Sequence, residues 1–370
     1  MKFSILIRFG ISLLLTVGGA LALDALIPLH KWGWDIRDLI YRRLPPQSPD
    51  TQIVIVDIAK LNRAALAQLL KRLAMADPLI IAIDAVFPTP LSGEEDSLWQ
   101  KALCEVSVNV PVCLAATLDL RKPIEEAPVQ SVSMTAFTQC VEQAYANMIT
   151  YEPYAPKTVR EFIPYTVSDS DTHYSLGLRV ALALDPSLLG ELPNLIGKVP
   201  IRYLGNLEHF YYLSGEEVLR DTNLPNWLQN KALFLGLVDP LKLTLEDIFF
   251  TPLNAAFLRQ DFPDMYGVVI HANITSMLRH RRFYEIIPKI WAVLLLGLFH
   301  LFLFFLCGYL EGAWRWVSIR LSQILAFIGT VELTIELGVR GFWFPIESLL
   351  WGIVIAGELL IWQRRWMKLA

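Results

Sequence analysis

Apolar residues follow three different patterns along this chain. Towards the C-terminal end they form unbroken runs. Ile290 to Leu310 contains no Asp, Glu, Lys or Arg, and about 20 such residues in a helix cross a bilayer core about 30 Å thick. Val317 to Gly338 and Phe342 to Trp362 follow, separated by a tight Val339-Arg340-Gly341 turn. Both are long enough to span but carry Glu332, Glu336, Glu347 and Glu358. Trp291, Trp314, Trp316, Trp343, Trp362 and Trp366 stand near the ends of these segments, as in an interfacial belt. Near the N-terminus Phe9 to Leu23 is a fourth run, preceded by Lys2 and Arg8. It reads either as a membrane anchor or as a secretory signal, because Ala20-Leu21-Ala22 resembles a cleavage site.

Between these runs the pattern alternates. Ile53 to Ile58 is a β-branched strand pattern containing Asp57, and Leu61 to Ala76 has helical spacing with Leu66, Leu69, Leu70 and Leu73 on one face. Leu79 to Asp84 is a second buried-type strand. Strand, helix and strand predict a βαβ unit with a parallel pair. Glu95 to Cys104 predicts a short helix and Val110 to Leu118 a third strand. Later elements are a strand at Val199–Leu204, a helix at Gly215–Leu219, a strand at Ala232–Leu237 and a helix from Val268 to Arg281. Arg121 to Asp169 has weak periodicity and many prolines, and reads as an insertion of loops and short elements. The fold class expected is α/β, a mostly parallel-sheet extracytoplasmic domain joined to an α-helical transmembrane bundle.

Composition sharpens this division. Of 370 residues 54% are hydrophobic and 18% charged, against about 25% charged in a typical soluble domain. The mean hydropathy is +0.43, which argues against a purely soluble protein. Basic and acidic residues number 32 and 36, so no basic excess points to nucleic acid. Arg364, Arg365 and Lys368 follow the last run, and Arg315 and Arg320 flank the loop after the Ile290 run. The positive-inside rule puts both places in the cytoplasm. The expected organisation is therefore an anchor or signal at 1–23, an outer domain at 24–288, three spans at 289–362 and a cytoplasmic tail at 363–370. The Arg279–Arg282 run then lies outside, as long translocated domains tolerate.

The ordered pieces resemble the CHASE domain of type two, a bacterial extracytoplasmic sensor module. The stretches that carry the likeness are WDIRD at residues 34–38, IVIVDI, DPLIIAIDAVFPTPLSGEEDSLWQKAL, KVPIRYLGNLEHFYYLSGEEVL, NKALFLGLVDPLKLTLEDIFFTPL, YGVVIHANITSML and GFWFPIESLL. The resemblance implies one N-terminal span, a large outer domain and three closely spaced spans. Two places depart from the family pattern, Ala59 to Arg63 and the stretch Ala146-Asn147…Thr158-Val159-Arg160. Family members usually continue into a kinase or cyclase. This chain stops shortly after Trp362 with no phosphate-binding loop or kinase motif, so the expectation is a signal passed to a separate effector.

Candidate chemistry sits at the ends of the predicted strands. Asp57 and Asp84 close two strands, where ligands of open α/β sheets collect, and Asp96 follows nearby. They would bind a cation or an amine, or else cap the following loops. His271 and Asn273 open the Val268 helix and read as ligand residues, or as a buried pair beside Asp239 or Asp247. In the spans Glu332 and Glu336 share a helix face, with Arg340 in the following turn. Intramembrane carboxylates are functional candidates, here for transmembrane coupling. The other reading, preferred for Glu336, Glu347 and Glu358, is an outer-leaflet cap of salt bridges. In it Arg340 pairs with Glu336 or Glu347, and Glu358 reaches Arg364 and Arg365. Cys104, Cys113 and Cys140 allow one disulfide and one leftover thiol, with Cys113 in a predicted core strand. No metal site or cofactor motif is present in the sequence, and no catalytic nucleophile can be named. Three functions compete. One is a sensor or sensory subunit in the bacterial inner membrane, surrounded by lipid, coupled to an effector and open to homo-oligomerisation. The second is a scaffold subunit of an envelope complex. The third is a membrane enzyme acting through His271 or Glu332.

Overall fold

A computed structural model describes residues 2–27, 35–91, 93–119, 129–130, 133–149, 158–168, 171–221, 223–239, 246–255 and 262–366. Trp34, Lys368 and much of the 121–169 stretch lie outside them. The chain divides into two compact units. One comprises Met1–Leu44 and Tyr284–Ala370, and the other Pro45–Glu152 and Lys157–Phe283. Residues 24–44 therefore group with the long helices rather than with the α/β unit.

The second unit is built on a seven-stranded sheet. In chain order its strands are β1 (Asp50–Asp57), β2 (Ile80–Asp84), β3 (Val112–Leu118), β4 (Val129–Gln130), β5 (Glu142–Tyr145), β6 (Phe210–Ser214) and β7 (Ala232–Gly236). The spatial order is β6–β1–β7–β2–β3–β4, with β5 also on β3. Every pair is parallel except β3 with β4. The central strands are buried on both faces, as continuous apolar runs of a covered parallel sheet require. One expectation is corrected here. β1 and β2 run parallel but are not neighbours, because β7 inserts between them.

The helices Arg63–Ala74 and Gly93–Ser107 cover one face. Leu66, Leu69, Leu70 and Leu73 form the predicted stripe and pack with Trp99 and Leu103 on Val54, Val56, Ile81, Ile83, Leu233 and Leu235. Alternation sends Ile53, Ile55, Ala82 and Phe234 to the other face. There the helices Leu176–Leu184 and Gly267–Arg279 pack on each other and on the sheet. Val199–Leu204 was expected as a strand, but only Val199–Pro200 pairs. Ile201 N still donates to Arg160 O, and the backbone then turns to side chains, Arg202 N donating to Met277 Sδ and Leu204 N to Asn273 Oδ1. A disulfide joins Cys104 to Cys140, and Cys113 remains a buried thiol whose pKa burial pushes up to about 12.

The first unit holds four long helices, Lys2–Leu26, Lys289–Tyr309, Gly312–Val339 and Ile346–Trp366. Among the described residues three are long and apolar enough to cross a membrane, over Leu6–Leu26, Lys289–Tyr309 and Gly312–Val339. Ile346–Trp366 is not among those three, yet it packs against all three other helices. Its inward-facing residues, Leu349, Leu350, Ile353, Ala356 and Leu360, meet protein. Polar groups also tie the helices together. His300 is fully buried and takes Ser12 Oγ at 2.9 Å and Thr16 Oγ1 at 3.2 Å on its two ring nitrogens. Glu358 pairs with Arg320 on the preceding helix; the side chains of Arg364 and Arg365, its expected partners, lie outside those described.

Candidate functional site

The carboxyl edge of the sheet is set by a run of registered strand ends. Ser214, Asp57, Gly236 and Asp84 lie side by side at the ends of β6, β1, β7 and β2. Asp57 and Asp84 are two strands apart, or about 10 Å. Gly236 between them has to be glycine. A Cβ there would stand 2.6 Å from the Cβ of Val268 at the start of the Gly267–Arg279 helix. This close approach brings the first turn of the helix onto the strand ends. His271 lies one turn beyond Gly267 and Val268, on the same helix face, and so points back to the sheet edge.

His271 Nε2 lies 3.9 Å from Asp84 Oδ1, too far for a hydrogen bond. His271 is 2% exposed. Asp84 Oδ2 has no hydrogen-bond partner among the described residues, and the His271 ring meets no side-chain partner, only a loose approach to the Ala146 backbone. Buried polar groups are rarely left so. Burial pushes the Asp84 carboxyl up to about 7 and the His271 imidazole down to about 4, the Ala146 backbone working against the latter shift. A third group completes the cluster. Asp247 has a left-handed backbone, φ 52°, and its carboxylate fills the space a side chain at Gly267 would need, 2.7 Å from that Cβ position. Asp247 reaches solvent, but the protein packed around it and then the charge of Asp84 push its carboxyl up to about 8. At neutral pH the two carboxyls hold a proton and the imidazole is neutral.

The other expected residues are employed within the fold. Asp57 Oδ1 accepts from Ala59 N at 2.9 Å and Val238 N at 3.2 Å, and Tyr212 Oη approaches Oδ2 at 3.5 Å. Burial and then the Asp57 charge push the Tyr212 phenol up to about 12. Asp96 pairs with Arg63 and accepts from Leu91 N. Burial raises its pKa, but the bond from Arg63 and that from Leu91 outweigh this and hold it low. Arg63 also donates to Thr89 O and lies over Phe87 and Phe137. Asn273 is fully buried, accepts from Leu204 and Gly205 N, and donates to Gly205 and Val269 O. The strand ends thus bring Asp84 and His271 together, and not Asp96 or Asn273. Asp247 was legible only as a neighbour of His271. Its signal lies in Gly267, which the carboxylate makes necessary. Among the described residues no group of three His, Cys, Asp or Glu side chains is disposed to hold a metal ion.

The expected coupling residues lie in the helical unit. Arg43 donates to Glu332 through both terminal nitrogens, at 2.6 and 2.9 Å. Glu336 pairs with Arg340 at 2.7 Å. Near them Arg37 bridges Asp35 and Glu347 and stacks over Trp343, in a buried network the sequence did not reveal.

The chain belongs to the CHASE2 domain family, whose model matches residues 11–309. CHASE2 domains are sensory extracellular domains. With the apolar helices this points to a membrane protein. No curated protein and no solved structure matches the chain.

Proposed function

We propose that this protein is a membrane sensor of the bacterial inner membrane. Its α/β domain lies outside, binds a small ligand at Asp84, Asp247 and His271, and signals through the helical unit to a separate effector protein. One observation carries the ligand reading. Among the described residues Asp84 Oδ2 is buried without a partner, and the buried His271 ring faces it with no side-chain partner, at the edge of a parallel sheet where ligands gather. His271 has no hydroxyl or thiol hydrogen-bonded to it among the described residues, which favours binding over nucleophilic catalysis. The Cys104–Cys140 disulfide suits an oxidising compartment, and Arg315 and Arg320 suit a cytoplasmic loop. The bonds of Ser12 and Thr16 to His300 favour a retained N-terminal span over a cleaved signal.

Signal transmission rests on how both chain crossings are fastened. The chain leaves the helical unit after Leu44 and re-enters it at Tyr284. Just before the first crossing, Arg43 grips Glu332 and Ile40 packs on Gly338, both on the Gly312–Val339 helix. Just after the second, Glu285 and Ile286 pair in parallel with Phe342 and Trp343, and Tyr284 stacks on Trp343. A shift at either crossing therefore pulls on the end of one helix. Charge exchange tests this, with the full-length chain cross-linked in native membranes and its partners identified by mass spectrometry. An effector recovered with wild type is lost with Arg43→Glu and returns with Arg43→Glu/Glu332→Arg. An unchanged partner set in all three, or no partner at all, contradicts the reading and favours a scaffold role.

A further inference from the structure

We propose that the group recognised at the carboxyl edge of the sheet is a primary ammonium, carried by an organic amine; this rests on the ligand reading above. Once the carboxyls release their proton the cluster offers acceptors to a ligand, and its remaining donor, the imidazole N–H, is turned to the Ala146 backbone. An ionised carboxylate is acceptor-only, and a neutral imidazole has one acceptor nitrogen. Asp84, Asp247 and His271 together present three such acceptors from three different segments of the chain, the end of β2, the turn that packs on Gly267, and the first turns of the Gly267–Arg279 helix. A primary ammonium has three N–H donors on one atom, so the count of donors and acceptors agrees.

Charge agrees as well. Asp84 Oδ1 and His271 Nε2 are 3.9 Å apart. One nitrogen hydrogen-bonded to both at about 2.8–3.0 Å would subtend about 85° there, so the two groups part by under about 1 Å to reach the tetrahedral angle. No metal-holding group of three side chains is present among the described residues. The partnerless Asp84 Oδ2 then gains a charge-assisted bond, worth about twice a neutral one. In the free protein a proton held by the two carboxyls supplies the positive charge that the ammonium brings when it binds. Asp57 stands about 10 Å away along the same edge, and its bonds to Ala59 and Val238 leave it to steer a cation rather than hold it. Asp247, the solvent-reaching member, marks the side of entry.

The test uses the full-length chain in lipid nanodiscs at pH 8, with methylammonium chloride as probe. Tetramethylammonium, of equal charge but without an N–H, and manganese(II) serve as comparisons at matched ionic strength. Isothermal titration should give saturable binding of methylammonium, at least tenfold weaker binding of tetramethylammonium, and at least tenfold loss in Asp84→Asn and in Asp247→Asn. The thermal unfolding midpoint of each variant, read in parallel, shows that it is folded. Equal binding of the two organic cations, no binding of methylammonium, or Asp84-dependent binding of manganese alone overturns the ammonium assignment. The ligand-site reading fails separately, if Asp84→Asn leaves the partner set and every probe's binding unchanged.

Discussion

Asp84→Asn makes the folded protein more stable at pH 8.5, while removing a residue assigned to ligand binding. The reason lies in the proton that Asp84 keeps. Its carboxyl titrates at about 7 when folded, against about 4 in an unfolded chain. Through that interval the folded state holds a proton that the unfolded state has released, so stability falls as pH rises from about 4 and is lowest above the folded value. Each pH unit of difference corresponds to about 1.4 kcal/mol. Asp247, pushed to about 8 partly by the charge of Asp84, shares this penalty. The cost at alkaline pH is on the order of a few kcal/mol and falls mainly on the enclosed Asp84, because solvent screens the exposed Asp247. An asparagine keeps the shape of the side chain and has no charge to bury. Thermal unfolding of the full-length chain in detergent should show wild type losing stability between pH 5.5 and 8.5. The variant should lose much less and stand several degrees higher at pH 8.5. A wild type that is equally stable at both pH values would remove the physical basis of the site.

The second large effect concerns the disulfide. Cys104→Ser or Cys140→Ser opens a cross-link over a sequence separation of 36 residues, and chain entropy alone puts the loss at about 4 kcal/mol. The bond fastens the Gly93–Ser107 helix to the segment leading into β5. Loss should therefore be concentrated in that edge of the sheet, seen as faster hydrogen exchange in β3 and β5 with β1 and β7 less affected. Thiol labelling gives an independent reading. In the oxidised protein only Cys113 and Cys307, both buried, should react after denaturation. Four reactive thiols in protein taken from its native membrane, without reductant, would place the α/β unit in a reducing compartment.

Much of the fold could be read along the chain because its local patterns are strong. The β-branched run that became β1 and the apolar run that became β2 are central strands, buried on both faces. The Leu66, Leu69, Leu70 and Leu73 stripe is a helix face with no competing reading. The lateral order of strands was not legible. Runs buried on both faces look alike, and nothing local tells that Ala232 to Gly236 enters between β1 and β2. The edge strand Phe210–Ser214 escaped notice because only Phe210 is fully buried, so no apolar run marks it. The same limit applies at the site. Aspartates at strand ends and a histidine opening a helix stand out in sequence. Whether they meet depends on Gly236 and Gly267, each of which admits a close neighbour. Long-range ion pairs are harder still. Arg43 and Glu332 are 289 residues apart, and Glu358 pairs with Arg320 across a helix pair.

The central claim is that the carboxyl edge of the sheet holds a proton-retaining acid pair, Asp84 enclosed and Asp247 reaching solvent. The infrared absorption of protonated carboxyls in the full-length protein, titrated from pH 5 to pH 9 and compared with Asp84→Asn, tests it most directly. The account predicts a wild-type carboxyl component that disappears with midpoints near 7 and 8 and is reduced in the variant. Identical titrations of the two proteins, with every carboxyl ionised by about pH 6 as ordinary Asp and Glu are, would contradict it.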